Sequence, residues 1–113
     1  MQTVISLRDD ETVAQEGRVV ESLGMRFLNF PIAAGSNPSE DVVNGAVRAL
    51  TDQSLFPIYI HCQRGKARTS LIVGLYRVFV QHWPRDRAYE EMKAFGFNGW
   101  HFALKRYWDT HTR

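Results

Sequence analysis

The stretch His61-Cys62-Gln63-Arg64-Gly65-Lys66-Ala67-Arg68-Thr69-Ser70 sets the only cysteine of the chain among a glycine and three cations. The apolar run Ile58-Tyr59-Ile60 precedes it and a long apolar segment follows, so Cys62 to Arg68 reads as a tight strand-to-helix turn. Successive backbone N–H groups in such a turn curl into an anion-binding nest. The helix behind it adds unpaired N–H groups and the positive end of its dipole. Gly65 sits mid-turn, where a positive φ or a close approach to a ligand suits glycine. The planar guanidinium of Arg68 can clamp two oxygens of a tetrahedral anion. Gln63, Arg64, Gly65, Lys66, Ala67 and Arg68 are thus the expected phosphate cradle.

A thiol at the base of this cradle gains a specific chemistry. The same N–H groups and arginine favour a negative sulfur on Cys62, the form that attacks. In-line attack on a bound phosphoryl group gives a phosphocysteine that water then hydrolyses. Positive groups around the equatorial oxygens stabilise the transition state. Thr69 is placed to hydrogen-bond the sulfur and help it leave, and His61 to brace the loop. The competing reading, Cys62 as a small buried core residue, explains neither the glycine nor the arginine at their offsets.

The elements that must position this loop follow from the pattern around it. A strand is expected over 4–7, a helix over 12–23 capped by Thr12 and stopped by Gly24, with Val13, Val19, Val20 and Leu23 as its apolar residues, and a strand over 25–32. A loop over 33–38 leads to a helix over 39–50, capped by Ser39, with Val42, Val43, Ala46, Val47 and Leu50 on its apolar face. A third strand over 58–60 runs into the loop, and a strongly apolar helix over 69–82 leaves it. Two further helices are expected over 85–95 and 100–110. Alternating strands and helices imply an α/β fold with a parallel-rich sheet flanked by helices. Sites in such sheets form at the carboxyl ends of the strands, which unites the loops after Leu7, Ile32 and Ile60.

Composition narrows the function classes. The chain has 113 residues, 44% hydrophobic and 23% charged, enough for one domain over 1–113. A net charge of +2 without a basic block argues against nucleic acid as a partner. No apolar run reaches the length of a membrane span, and no secretion signal is visible. A cytoplasmic location is the expectation for the chain taken as complete; the sequence gives no oligomeric state. One cysteine excludes an internal disulfide. Cys62 lacks a second thiol, and His61, His82, His101 and His111 lack ligand spacing, so neither metal nor cofactor is expected.

The nine residues from His61 to Thr69 match the His-Cys-x-x-Gly-x-x-Arg-Ser/Thr signature, and the chain resembles the protein tyrosine phosphatase superfamily. Val4-Ile5-Ser6-Leu7-Arg8, Phe27 to Pro31 and Ile58-Tyr59-Ile60 extend the likeness to its compact dual-specificity and phytase-like branches, over about residues 4–80. The resemblance implies the minimal fold of that superfamily, a single phosphatase domain, Cys62 as nucleophile and Arg68 as phosphate clamp. It also implies an aspartic acid on a loop before the cysteine that protonates the leaving oxygen. No carboxylate occurs between Leu28 and Pro38, where that loop belongs. Asp41, beside Glu40, comes nearest; Asp9 and Asp10 are rivals because their loop shares the active edge. Trp83-Pro84-Arg85-Asp86 follows the cysteine and suits a helix start instead. Ala67 stands where several relatives carry an aspartate, and Ser70 where glycine is common.

The substrate reading rests on charge. Arg64 and Lys66 resemble the loops of inositol phosphate and inositol pyrophosphate phosphatases, and with Arg8 they can hold several phosphates of a polyanionic ring. An inositol polyphosphate is therefore the first expectation. A phosphotyrosine or other phosphoprotein partner is the alternative, with Phe30 or Trp100 as an aromatic wall, and a weakly active phosphate-binding domain is the third.

Overall fold

A computed structural model describes residues 2–33, 37–62, 66–98 and 100–112. Three short strands, β1 (Thr3–Ser6), β2 (Arg26–Asn29) and β3 (Ile58–His61), form one wholly parallel sheet in the order β2-β1-β3. The helices are α1 (Thr12–Ser22), α2 (Glu40–Ala49), α3 (Ala67–Phe79), α4 (Arg85–Ala94) and α5 (Phe102–His111), with a single 3-10 turn at Gln53–Leu55. The expected α/β architecture is what the chain adopts. β1 is central, so all four of its residues are buried, the polar Thr3 and Ser6 included.

Register assigns the two faces of the sheet. Val4, Phe27 and Tyr59 form one row across it and Ile5, Leu28 and Ile60 the next. Successive rows point to opposite sides. The Ile5 side joins the main core, where Leu71, Ile72 and Leu75 of α3 meet Val43 of α2, Met92 of α4 and Trp108 of α5. Fully burying Ile5, Leu71, Ile72 or Met92 contributes about 1.5–3 kcal/mol each relative to exposure. α3 is buried on most of its surface, as expected for a helix that is apolar nearly all round. The other side of the sheet is covered by α1, which approaches so closely that a Cβ on Gly17 would fall 2.9 Å from Phe27 Cδ2.

Several local expectations need correction. Thr12 does not cap α1: it is the first helical residue, and the Asp10 carboxylate accepts from its N–H (3.1 Å) and its hydroxyl (2.5 Å). A charged acceptor two residues upstream outcompetes a hydroxyl. Val19 (53%) and Leu23 (68%) are exposed, because α1 meets the sheet through Gly17 and Val20. Ser39 occupies the N-cap of α2 without a side-chain bond; Glu40 and Asp41 in the first turn and Arg48 in the last complement the helix dipole. β2 ends at Asn29 rather than Ile32. α3 starts at Ala67, two residues before Thr69, and α5 at Phe102, leaving Trp100 outside it. Gly24 stops α1 as expected: with φ +80 it lets Gly24 N–H reach Glu21 O and Met25 N–H reach Val20 O. Gly96 (φ +104) closes α4 the same way, through Lys93 O and Met92 O.

Candidate active site

Ser6, Asn29 and His61 stand level at the carboxyl edge of the sheet. Backbone bonds knit the loops beyond them. Leu7 N–H donates to His61 O (2.9 Å), Phe30 N–H to Ser6 O (3.0 Å) and Ile32 N–H to Leu7 O (3.0 Å). The Asn29 side-chain amide donates to both Ser6 O and Arg8 O, each at 2.9 Å, which fixes the path of the chain after β1. Three loops thus leave the edge in a set arrangement, as the parallel topology requires.

Half-buried Cys62 follows β3 directly. The early start of α3 puts Arg68 in its first turn, 6% exposed, with Nη1 donating to Ile32 O at 2.6 Å. A buried guanidinium without partners is costly. The Ile32 carbonyl supplies one, and Asp9 Oδ1 lies 3.7 Å from the same nitrogen. Thr69 Oγ1 donates to Cys62 Sγ at 3.3 Å, one helical residue beyond the arginine. Cys62, Arg68 and Thr69 are therefore gathered where the strand passes into the helix, with Asp9 facing them from the loop after β1.

The remaining expected residues fall into three groups. Gln63, Arg64 and Gly65 lie outside the described residues. Lys66 is the exposed N-cap residue of α3, and Ala67 is packed in the core. Around them, His61 stacks on Tyr59 (5.6 Å between centroids, 23° between planes), and its Nε2 comes within 2.6 Å of Glu16 Oε2 on α1, out of line for a hydrogen bond. Arg8 is bound through Nε and Nη2 to Asp10 Oδ2 (3.1 and 2.8 Å). The hydrogen bonds from Thr12, then those from Arg8, hold the Asp10 carboxyl below its ordinary range. Asp41 is exposed on α2 and makes no polar contact with Cys62 or Arg68 among the described residues; its neighbour Glu40 is bound to His111. Residue spacing could not reveal the Ile32 carbonyl, which belongs to a backbone, nor Glu16, which only the crossing of α1 brings to β3.

A cleft of about 410 Å³ opens beside Cys62, lined also by Lys66, Thr69 and Ser70 and by the apolar Val73, Met92 and Phe95. The Ser70 hydroxyl is buried there without a hydrogen-bond partner among the described residues. Arg68 and Asp9 are not among the residues that line this cleft.

The sequence and the fold have counterparts among known proteins. The pattern of the family described as "DSP-PTPase phosphatase fused to NAD+ Kinase" matches residues 1–105. The chain is 30% identical over 97 residues to the dual specificity protein phosphatase TpbA of Pseudomonas aeruginosa, covering 86% of this chain and 43% of that protein. It is 38% identical over 74 residues to the inositol diphosphatase DSP5 of Arabidopsis thaliana, covering 62% of this chain and 36% of that protein. The chain therefore spans less than half the length of these relatives. The core catalytic domain of the PP-IP phosphatase SIW14 from S. cerevisiae superposes with a TM-score of 0.82 over 98% of this chain and 68% of its own, at 20% identity, which shows a shared fold. Signature, topology and family match agree: the chain belongs to the DSP-PTPase phosphatase family, in its compact group resembling the protein tyrosine phosphatases.

Proposed function

We propose that the chain is a phosphatase that works through a phosphocysteine on Cys62 and needs no metal, with inositol polyphosphates, their pyrophosphates included, as substrates. The observation that carries the reading is the pairing of Cys62 Sγ with the Thr69 hydroxyl, one residue after an arginine buried and held by Ile32 O. Cys62 attacks phosphorus, Arg68 and the amides of the turn hold the equatorial oxygens, and Thr69 stabilises the sulfur when it leaves. The positive charge that a divalent ion supplies in other phosphatases comes here from the guanidinium and the α3 N-terminus.

Two facts support the inositol substrate. Lys66 is exposed at the N-cap of α3, two residues before Arg68, where its ammonium can meet a second phosphate. Relatives named inositol diphosphatase reach 38% identity. The likeness to TpbA favours a second reading, phosphotyrosine in protein. Against it, neither candidate for an aromatic wall is placed as one: Phe30 packs against Gly45 of α2 and Trp100 is 81% exposed. The test compares kcat/KM for an inositol pyrophosphate and a phosphotyrosine peptide, in EDTA, for the parent and Cys62→Ser. A parent preference for the inositol, abolished in Cys62→Ser, is expected. Preference for the peptide overturns the substrate, and an active Cys62→Ser overturns the mechanism.

A further inference from the structure

The acid expected on the loop after β2 has no carboxylate to provide it, yet hydrolysis of an ester with a poor leaving group needs a proton. We propose that Asp9, on the loop after β1, is the proton donor to the leaving oxygen. This assignment rests on the phosphocysteine reading above.

Elimination and placement both lead to Asp9. Asp10 is used in holding the loop: one carboxylate oxygen takes Arg8 and the other takes Thr12. Glu16 faces His61, Glu40 binds His111, and Glu11 and Asp41 make no ion pair with Arg68 among the described residues. Asp9 is the one acid within ion-pairing distance of Arg68 among the described residues, at 3.7 Å, and its side chain is 42% exposed. Its backbone is not free to drift. Asn29 binds the carbonyl of Arg8 just before it, and Arg8 and Thr12 grip Asp10 just after it.

The guanidinium that clamps the phosphoryl group thus carries Asp9 on the Nη1 that Ile32 O also occupies, and its other nitrogens have no partner among the described residues. In the first step the S–P bond forms as the P–O bond breaks, and the leaving oxygen takes the Asp9 proton with its electron pair. In the second, the Asp9 carboxylate takes a proton from water as the water oxygen bonds to phosphorus and the S–P bond breaks. The electron pair returns to Cys62 sulfur, so thiolate and carboxylic acid are both restored.

The experiment sets 4-nitrophenyl phosphate, whose leaving group departs without a proton, against phenyl phosphate, whose leaving group does not. Asp9→Asn should lose about 100-fold or more of kcat/KM on phenyl phosphate and less than about tenfold on the nitrophenyl ester. Asp9→Glu should recover part of the loss. Equal losses on the two esters, or none, overturn the assignment, since a residue that merely neutralises Arg68 does not distinguish leaving groups. A parent inactive on both esters, or an active Cys62→Ser, defeats the phosphocysteine reading itself, and the assignment with it.

Discussion

Replacing Thr69 by valine keeps the shape of the side chain and removes the hydroxyl that reaches Cys62 Sγ at 3.3 Å. A hydrogen bond to a charged group contributes about 1.5–3 kcal/mol. At about 1.36 kcal/mol per tenfold, that is a factor of about 10–150 in rate for a step in which the bond matters fully. Such a step is hydrolysis of the phosphocysteine, where negative charge develops on sulfur as it departs. Its formation is affected less, because a thiolate that loses a donor is also a stronger nucleophile. Thr69→Val should therefore show a burst in stopped-flow hydrolysis of 4-nitrophenyl phosphate. One nitrophenolate per active site is released near the parent rate, then turnover continues about 10–150-fold slower. Thr69→Ser, which retains the hydroxyl, should stay close to the parent. Burst and steady-state rates lowered alike, or a steady state unchanged in Thr69→Val, would refute the reasoning.

Other perturbations follow from single contacts. Arg68→Lys cannot both bind Ile32 O and fork onto two phosphoryl oxygens, so kcat/KM on 4-nitrophenyl phosphate should fall about 10²–10³-fold. His111 places Nδ1 2.8 Å from Tyr107 O and Nε2 2.7 Å from Glu40 Oε1, two acceptors that require both ring nitrogens to carry protons. The Glu40 bond, chiefly, raises its pKa above the ordinary value. That stabilisation is fully present below the unfolded pKa of about 6.5 and disappears as pH rises through the folded value, so His111→Gln should lower Tm more at about pH 5.5 than at about pH 8.5. A Cβ on Gly74 would fall 2.6 Å from Met92 Sδ and 3.1 Å from Trp108 Cζ3; Gly74→Ala should cost about 1–3 kcal/mol in urea unfolding. Limited peroxide should inactivate the enzyme through Cys62, the only thiol, with activity regained on prompt reduction.

The order of elements and the identity of the strand-to-helix turn were legible because both are local. Hydrophobic runs mark β1 and β3, glycines with positive φ mark the ends of α1 and α4, and the spacing of Cys62 and Arg68 marks the anion site. What could not be read depends on contacts distant in sequence. Arg68 is held by a carbonyl 36 residues away. Thr12 looks like a cap until Asp10 is seen to accept from it. Along the chain Asp41 comes nearest to the expected acid, with Asp9 and Asp10 as rivals, and the parallel register that sets β1 beside β3 is what brings Asp9 to the arginine. Val19 and Leu23 fit the apolar stripe of α1 by period but extend past the narrow sheet it covers.

Rapid quenching of the protein with 4-nitrophenyl phosphate, followed by peptide mass spectrometry, tests the central claim most directly. One phosphoryl group on the peptide containing Cys62, more abundant in Thr69→Val and missing in Cys62→Ser, is the predicted result. Turnover with the phosphoryl group on any other residue, or on none in both the parent and Thr69→Val, would contradict it.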